Sequence, residues 1–378
     1  MWRDDAGRSR WWLIPSVALL VDVAVIAFVQ PQLAVRDEAV FYPAAQAFLR
    51  AGWLPSTEFL RGYPAPQTPL SLYLAGRLLA LAPSLTLLRL VDCGLVFAAL
   101  LRFARFASES CGKNAGLATA VLALNPYVHL AATHFYTDAL YLFLLVLVVT
   151  RRPAAPAWLP LTLLPLTRQF GMLFGAGEAL HALRTRRVRD CLLVLGTWLP
   201  TLALFALWHG PFPNTPRADT ARTVHAAYGW FFPYVAAYHV AAAGCYLSPV
   251  LLRVPRSRQF WLGASLGAVL YLAAPAHPNF AAELADSGIT TLGYFHRATL
   301  VFGVRPSHLV LFAFASLGGG LIAQSFSAQG PLRYFVALFF ALSAFNFQAW
   351  DKYLLDVLPA ALLALLSVPK QARVASEA

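Results

Sequence analysis

Two adjacent carboxylates, Asp37 and Glu38, follow Arg36 directly after the first long hydrophobic segment of this 378-residue chain. The chain has only 17 acidic residues, so a pair of them at this place is unusual. A charged group close to lipid is costly and is usually retained for a function. Such carboxylates are suited to proton abstraction or cation binding, and because neighbouring residues of a helix point in different directions, one can face a site while the other caps the helix. The alternative is a solvated helix cap paired with Arg36.

Two further charged residues lie at the ends of hydrophobic segments. Asp138 closes the polar turn His134–Asp138 and precedes an apolar segment, a position that is also typical of a helix N-cap. Arg168, followed by Gln169, lies between two short apolar segments. A lone arginine at such a depth needs an anion, and its planar guanidinium can bind a phosphate through two parallel hydrogen bonds. The alternative is a structural pair with a carboxylate such as Asp138.

The remaining candidates give weaker signals. Asp351 and Lys352 precede the last hydrophobic segment, where Lys352 is placed either to reach a lipid phosphate or to serve as an interfacial anchor. The polar loops 209–230 and 276–305 contain several histidines, arginines and acidic residues. These loops fit either a groove for an acceptor or ordinary polar surface.

The composition indicates the class of protein that positions these residues. Hydrophobic residues make up 59% and charged residues 12% of the chain, and the mean hydropathy is +0.61. A soluble domain carries about twice that share of charge. Long apolar segments recur along nearly the whole chain, and because lipid offers no hydrogen bonds to the backbone, these segments predict helices. We therefore expect an all-α, polytopic integral membrane protein.

Clusters of arginine and lysine between the apolar segments predict the topology, because such clusters remain on the cytoplasmic side. Both termini are expected inside, with a cytoplasmic tail at 369–378 and a first outer loop at 30–84 that contains interfacial helices near 37–51 and 67–82. No second soluble domain is indicated, so 1–378 is expected to be a single transmembrane domain. We predict about twelve crossings, near residues 11–29, 85–103, 114–133, 137–150, 155–167, 169–183, 190–208, 231–252, 260–275, 306–323, 333–349 and 353–368.

The sequence contains no familiar cofactor motif. Its four cysteines are not closely spaced, which gives no indication of a disulfide framework or a zinc site. Walker, Rossmann and HExxH motifs are absent. Gly263 and Gly267 fit the small-xxx-small pattern of close helix packing. The net charge of +12 lies largely in the loop clusters, so it does not indicate nucleic-acid binding.

The order of these landmarks resembles the membrane glycosyltransferases of the GT-C type, which use polyprenyl-phosphate sugars. That group has an acidic motif in the first outer loop, then interfacial helices and a Pro-Pro-Leu-like segment, to which Thr68–Leu70 is similar. Within the group, the pattern is most similar to the dolichyl-phosphate-glucose terminal α-1,2-glucosyltransferase family of the lipid-linked oligosaccharide pathway.

Three short segments carry this resemblance, in the family's order and spacing. Asp37 and Glu38 precede Pro43–Gln46, which is similar to a Pro-x-Ala-Gln segment. Phe135–Asp138 resembles a Tyr-Tyr-Thr-Asp/Glu turn, and Thr167–Phe170 resembles a Phe-Arg-Gln-Thr-Asn segment, although it lacks the last two polar side chains. The resemblance covers about residues 30–180 and is weak beyond them. The chain is shorter than the eukaryotic members and rich in Ala, Arg and Leu, which suggests a bacterium.

The resemblance implies inverting transfer of a hexose, expected to be glucose, from a polyprenyl-phosphate donor to a hydroxyl of a saccharide or lipid-linked acceptor. The reaction would take place on the outer, periplasmic face of the bacterial inner membrane. A divalent cation, Mg²⁺ or Mn²⁺, joining Asp37 and Asp138 stays open, because some relatives of the broad class use one. The implied site consists of Asp37, Glu38 and Asp138 as catalytic residues, Arg168, Gln169, Lys352, Arg222 and His225 at the donor phosphate, and Tyr136 and Asp351 in support of the acceptor.

A second class of function is a transporter or flippase for a lipid-linked or anionic solute, which would also use an arginine and boundary carboxylates. That class predicts paired inverted halves and acidic residues within helices. No internal repeat is evident, and acidic residues within the helices are scarce apart from Asp22 and Asp92. A non-catalytic membrane scaffold is a third class, and it leaves the polar residues of the outer face unexplained.

Overall fold

The computed structural model describes residues 10–29, 37–151, 158–215, 229–275, 293–301, 303–328, 330–346 and 351–367. All regular secondary structure in these ranges is helical, which confirms the all-α class. The α-helices, in chain order, are α1 Leu13–Phe28, α2 Glu38–Arg50, α3 Thr57–Arg61, α4 Leu70–Leu81, α5 Leu85–Ser110, α6 Ala115–Ala123, α7 Pro126–Thr133, α8 Asp138–Val149, α9 Trp158–Thr167, α10 Met172–Arg184, α11 Val188–Gly196, α12 Leu199–Trp208, α13 Pro233–Leu247, α14 Arg258–Ala273, α15 Gly293–Leu300, α16 Val304–Ser325, α17 Leu332–Ser343 and α18 Leu358–Leu366.

A few of these helices have the length and composition of membrane-spanning helices. Pro233–Arg253 and Val304–Ser325 are long and apolar enough to cross a membrane. Two pairs of shorter helices meet the same criterion together, each pair bent at a short break. The described residues therefore contain two to four candidate spans. These two to four spans do not establish the count of twelve crossings, which stays a prediction.

The helix is interrupted within two of the predicted crossings, and a proline lies at each break. The segment at 114–133 is broken between α6 and α7, where the Asn125 side chain accepts a backbone N–H at 2.9 Å and Pro126 begins the new helix. The segment at 190–208 is broken between α11 and α12, where Pro200 lies in the first turn. Proline has no N–H to donate and is best tolerated in the first turn of a helix, so each proline lies at the start of a new helix.

The two helices predicted for the first outer loop are present as α2 and α4. A Cβ added at Gly76 of α4 would lie 2.8 Å from the Ala45 carbonyl oxygen of α2, so these helices are in close contact. Phe41 and Phe48 are buried on the inner face of α2, and the Phe48 ring lies 5.2 Å from the ring of Tyr63. The loop therefore packs around a hydrophobic core, to which Phe135, Tyr136 and Trp208 from other parts of the chain also contribute. Its position at a membrane interface stays a prediction.

The chain divides into two compact units, which comprise the described residues of Met1–Phe106 with Leu122–Asp219 and of Ala107–Val121 with Thr220–Ala378. In the first unit, the buried Trp208 donates its indole N–H to the Leu60 carbonyl at 2.8 Å and packs on Tyr63. The second unit contains α13, α14 and α16. The assignment of the chain to a single domain stays a prediction.

Glycines allow the helices of the second unit to approach backbone to backbone. A Cβ added at Gly318 of α16 would overlap the Val240 carbonyl oxygen of α13. Cβ atoms added at Gly263 and Gly267 of α14 would overlap the backbone of α16 at Gly319 and at Ala315. The close packing expected of the Gly263 and Gly267 pair is therefore confirmed, and it follows the small-residue rule for helix contacts in membranes.

We expect the substitution Gly318→Ala to lower the free energy of unfolding by about 1–3 kcal/mol, because α13 and α16 must separate to accept the methyl group. Thermal unfolding of the purified protein in detergent would measure the change. Gly94→Ala is the matched control, since a Cβ there meets nothing within 4 Å. Equal melting temperatures for the two variants would contradict the proposed backbone contact.

Candidate functional site

The turn His134–Asp138, between α7 and α8, is the centre of a polar cluster in the first unit. The backbone N–H of Phe135 donates to Glu38 Oε1 at 2.7 Å. The backbone N–H of Tyr136 donates to Asp92 Oδ2 at 3.0 Å. Two carboxylates from two other helices, α2 and α5, therefore fix the backbone of this turn.

Glu38 forms a buried, two-point ion pair with Arg89 of α5. Arg89 Nε lies 2.8 Å from Glu38 Oε1, and Arg89 Nη2 lies 2.6 Å from Oε2. The exposed fractions are 0% for Glu38 and 1% for Arg89. Parallel bonds between a guanidinium and a carboxylate are among the strongest hydrogen bonds in proteins. Glu38 thus accepts from three donors, and this arrangement favours a structural charge over a catalytic acid.

Asp138 and Arg168 form a second buried ion pair. The guanidinium of Arg168 also lies 5.5 Å from the centre of the Tyr141 ring, within the range of a cation–π contact. Asp138 is the first residue of α8, and Thr137 occupies the N-cap position. The geometry therefore matches the structural pair that the sequence left open as an alternative for Arg168.

Asp37 is half-buried and directly precedes α2, whereas its neighbour Glu38 is buried and is the first residue of that helix. Its backbone carbonyl accepts the N–H groups of Val40 and Phe41, each at 3.0 Å. Its side chain makes no capping hydrogen bond to α2, so the cap expected as its alternative role is not formed. Arg36, its expected local partner, lies outside the described residues.

Gln169 and Tyr136 connect other segments to this cluster. The Gln169 amide nitrogen donates to the Pro66 carbonyl at 2.9 Å and to the Pro211 carbonyl at 3.2 Å, so it ties the first outer loop to the end of α9. Tyr136 is buried, with its ring stacked 5.5 Å from that of His134. Both side chains are therefore positioned by contacts within the first unit.

The late candidates belong to the second unit. Asp351 is fully buried and accepts the Tyr246 hydroxyl at 2.6 Å and the Phe295 backbone N–H at 2.9 Å. Lys352 is buried as well. The two loop candidates, Arg222 and His225, lie outside the described residues.

Sequence reasoning missed Arg89 and noted Asp92 only as a rare intrahelical acid. Both lie within the apolar segment that forms α5, three residues apart. An ionisable residue inside such a segment needs a partner, because its charge is costly in an apolar environment. Residues three apart lie on the same face of a helix. The spacing of Arg89 and Asp92 therefore indicates that both have polar partners on one side of α5.

Two carboxylates of the cluster, Glu38 and Asp138, are engaged in ion pairs and so are poorly suited to bind a divalent cation. Both oxygens of Glu38 and one oxygen of Asp138 already accept from guanidinium groups. Within the described ranges there is also no group of three or more His, Cys, Asp and Glu side chains arranged for a metal ion. Glu38 and Asp138 therefore serve as partners of arginine and not as metal ligands.

The geometry therefore places the half-buried carboxylate of Asp37 next to Glu38, within a frame of buried ion pairs. Such a frame is suited to holding a reacting group in place. Comparison with protein-family models, with curated proteins and with solved structures gives no match for this chain.

Proposed function

We propose that this chain is an inverting membrane glycosyltransferase of the GT-C type. It transfers a hexose, with glucose the expected sugar, from a polyprenyl-phosphate donor to a hydroxyl of a saccharide or lipid-linked acceptor. The observation that carries the proposal is the placement of half-buried Asp37 directly before Glu38, whose carboxylate accepts the Phe135 N–H of the His134–Asp138 turn. The apolar helices around this cluster suit a lipid-linked substrate.

In the proposed reaction, Asp37 and Glu38 have different roles. The acceptor oxygen forms a bond to the anomeric carbon while the bond from that carbon to the phosphate oxygen breaks, and the electron pair leaves with the polyprenyl phosphate. The acceptor proton passes to Asp37, which acts as the general base. Glu38 is committed to Arg89 and to Phe135, so it supports the base without exchanging a proton.

The ion pairs keep the turn and Asp37 in fixed positions. Charged pairs that are fully hydrogen-bonded in an apolar interior hold a single arrangement, because any other leaves a charge uncompensated. A fixed arrangement stabilises a transition state without reorganisation during the reaction. In this proposal Asp138 orients Arg168, and Arg168 faces the donor phosphate as half of a pair with no net charge.

The proposed enzyme also has a defined membrane topology. About twelve membrane crossings, cytoplasmic termini, and a site on the periplasmic face of a bacterial inner membrane are consistent with the loop charges.

A direct transfer assay tests this function. Purified protein in lipid nanodiscs is given radiolabelled polyprenyl-phosphate glucose, mannose or galactose, together with a panel of saccharide acceptors, and the products are separated by thin-layer chromatography. We expect label to move from the lipid to an acceptor, with inversion at the anomeric carbon. The control is protein inactivated by heat. Uptake of the lipid-linked sugar into proteoliposomes without any new glycosidic bond would instead identify a transporter.

A further inference from the structure

The first turn of α4 contains buried polar atoms that the fold itself does not satisfy. Thr68 has an exposed fraction of 0% and Ser71 of 7%. Within the described part of the chain, neither Thr68 Oγ1, Ser71 Oγ nor Gln67 Oε1 has a hydrogen-bond partner. A buried polar group without a partner costs about 1–3 kcal/mol. Three of them within five residues indicate a ligand that completes their bonds.

The same turn presents backbone donors. Pro69 is the N-cap of α4 and has no side-chain oxygen to accept from the helix. The first backbone bond into the helix runs from Tyr73 N to Pro69 O at 2.8 Å, so the N–H groups of Leu70, Ser71 and Leu72 precede it. The first N–H groups of an α-helix have no partner inside the helix, and they carry the positive end of its dipole.

These groups together favour an anion with several oxygens. The two hydroxyls and the three N–H groups can all donate, and the Gln67 amide can donate after rotation by half a turn. Side chains in a helix point back towards its N-terminus, which directs Ser71 to the same end as Thr68. Phosphate is the anion that such helix starts bind most readily.

The surroundings hold this turn beside the candidate site. Tyr63 donates its hydroxyl to the Gln67 carbonyl, and Gln169 donates to the Pro66 carbonyl at 2.9 Å. Gln169 follows Arg168, whose charge is already balanced by Asp138. A donor phosphate near Arg168 therefore needs further hydrogen-bond donors, and the start of α4 supplies them within the same unit.

We infer that the first turn of α4 is a phosphate-binding site, in which Thr68, Ser71 and the N–H groups of Leu70–Leu72 bind the phosphate oxygens. This inference rests on the proposed function for the source of the phosphate, which is then the polyprenyl-phosphate group of the sugar donor. Free phosphate has the same oxygen chemistry, and the two sources are separated by experiment.

The double substitution Thr68→Val with Ser71→Ala tests the site, because it removes both hydroxyls at nearly constant volume. We expect the dissociation constant for a short-chain prenyl phosphate, measured by calorimetry in detergent, to rise roughly 10- to 100-fold. The melting temperature of the ligand-free protein should stay unchanged or rise, because the hydroxyls have no partner in the described protein to lose. Thr201→Val is the matched control: Thr201 is fully buried in α12 with an equally unsatisfied hydroxyl, and its loss should leave prenyl-phosphate binding unchanged.

Equal prenyl-phosphate affinity in the wild type, the double variant and Thr201→Val would overturn the site, as would an absence of binding to the wild type. Inorganic phosphate is titrated in parallel, and an affinity equal to that of the prenyl phosphate would support the site with free phosphate as its ligand. Transfer activity is measured separately. Weakened binding without any sugar transfer by the wild type keeps the site and rejects the proposed function, whereas transfer with an unchanged KM for the donor in the double variant rejects the site alone.

Discussion

Replacement of Glu38 by glutamine is expected to lower the free energy of unfolding by about 3–5 kcal/mol, because the charge of Arg89 then stays buried without a counter-charge. The substitution also weakens the bond to the Phe135 N–H, which fixes the central turn. Thermal unfolding in detergent, followed by tryptophan fluorescence, would report the loss as a lower melting temperature. Activity should fall as the folded fraction falls.

Glu58→Gln is the matched control for this prediction. Glu58 is an exposed glutamate of the short helix α3, in the same outer loop, and its substitution should change stability by less than about 0.5 kcal/mol. The double substitution Glu38→Leu with Arg89→Leu removes both charges and should recover much of the lost stability. If Glu38→Gln proved as stable as Glu58→Gln, the buried pair would not have the structural role assigned to it.

Asp37→Asn is expected to reduce kcat for sugar transfer roughly 100- to 10,000-fold, because an amide cannot take the acceptor proton. The melting temperature should change little, because asparagine has nearly the size of the half-buried Asp37 side chain and keeps the backbone carbonyl that accepts from Val40 and Phe41. The two adjacent carboxylates are therefore expected to differ in what their substitution changes. Substitution of Glu38 lowers the stability, whereas substitution of Asp37 lowers kcat at unchanged stability.

Initial rates with polyprenyl-phosphate glucose at saturating acceptor would measure the effect of Asp37→Asn. Asp190→Asn is the control, because Asp190 is a half-exposed aspartate whose pair with Arg187 lies within three residues on the surface of α11. Turnover by Asp37→Asn at the rate of this control would remove Asp37 from the role of base and leave the proposed reaction without its proton acceptor.

Much of the helical framework was predictable from the sequence. Long apolar segments require helices wherever the backbone cannot bond to water, and α2 and α4 begin and end within a few residues of their predicted bounds. The helix breaks before Pro126 and near Pro200 were also predictable from the local sequence, because proline cannot continue the backbone hydrogen bonds of a preceding helix. These features depend on residue types within one or two helical turns.

The pairing of charges was not predictable in the same way. Glu38 and Arg89 are 51 residues apart in the chain, and Asp138 and Arg168 are 30 apart. Which carboxylate meets which guanidinium depends on the order in which the helices pack, and local propensities do not determine that order. The unsatisfied hydroxyls of Thr68 and Ser71 became evident only in the folded chain, because burial and missing partners are properties of packing.

By itself, the sequence determined the all-α class, many of the helical segments and a short set of polar residues near their ends. The tertiary structure alone decided how these residues are placed: Glu38 and Arg168 are bound in buried ion pairs, and Asp37 is half-buried directly before α2. The physical reason is that a charge becomes structural or reactive through its partners and its burial. Both arise from contacts between segments distant in the chain.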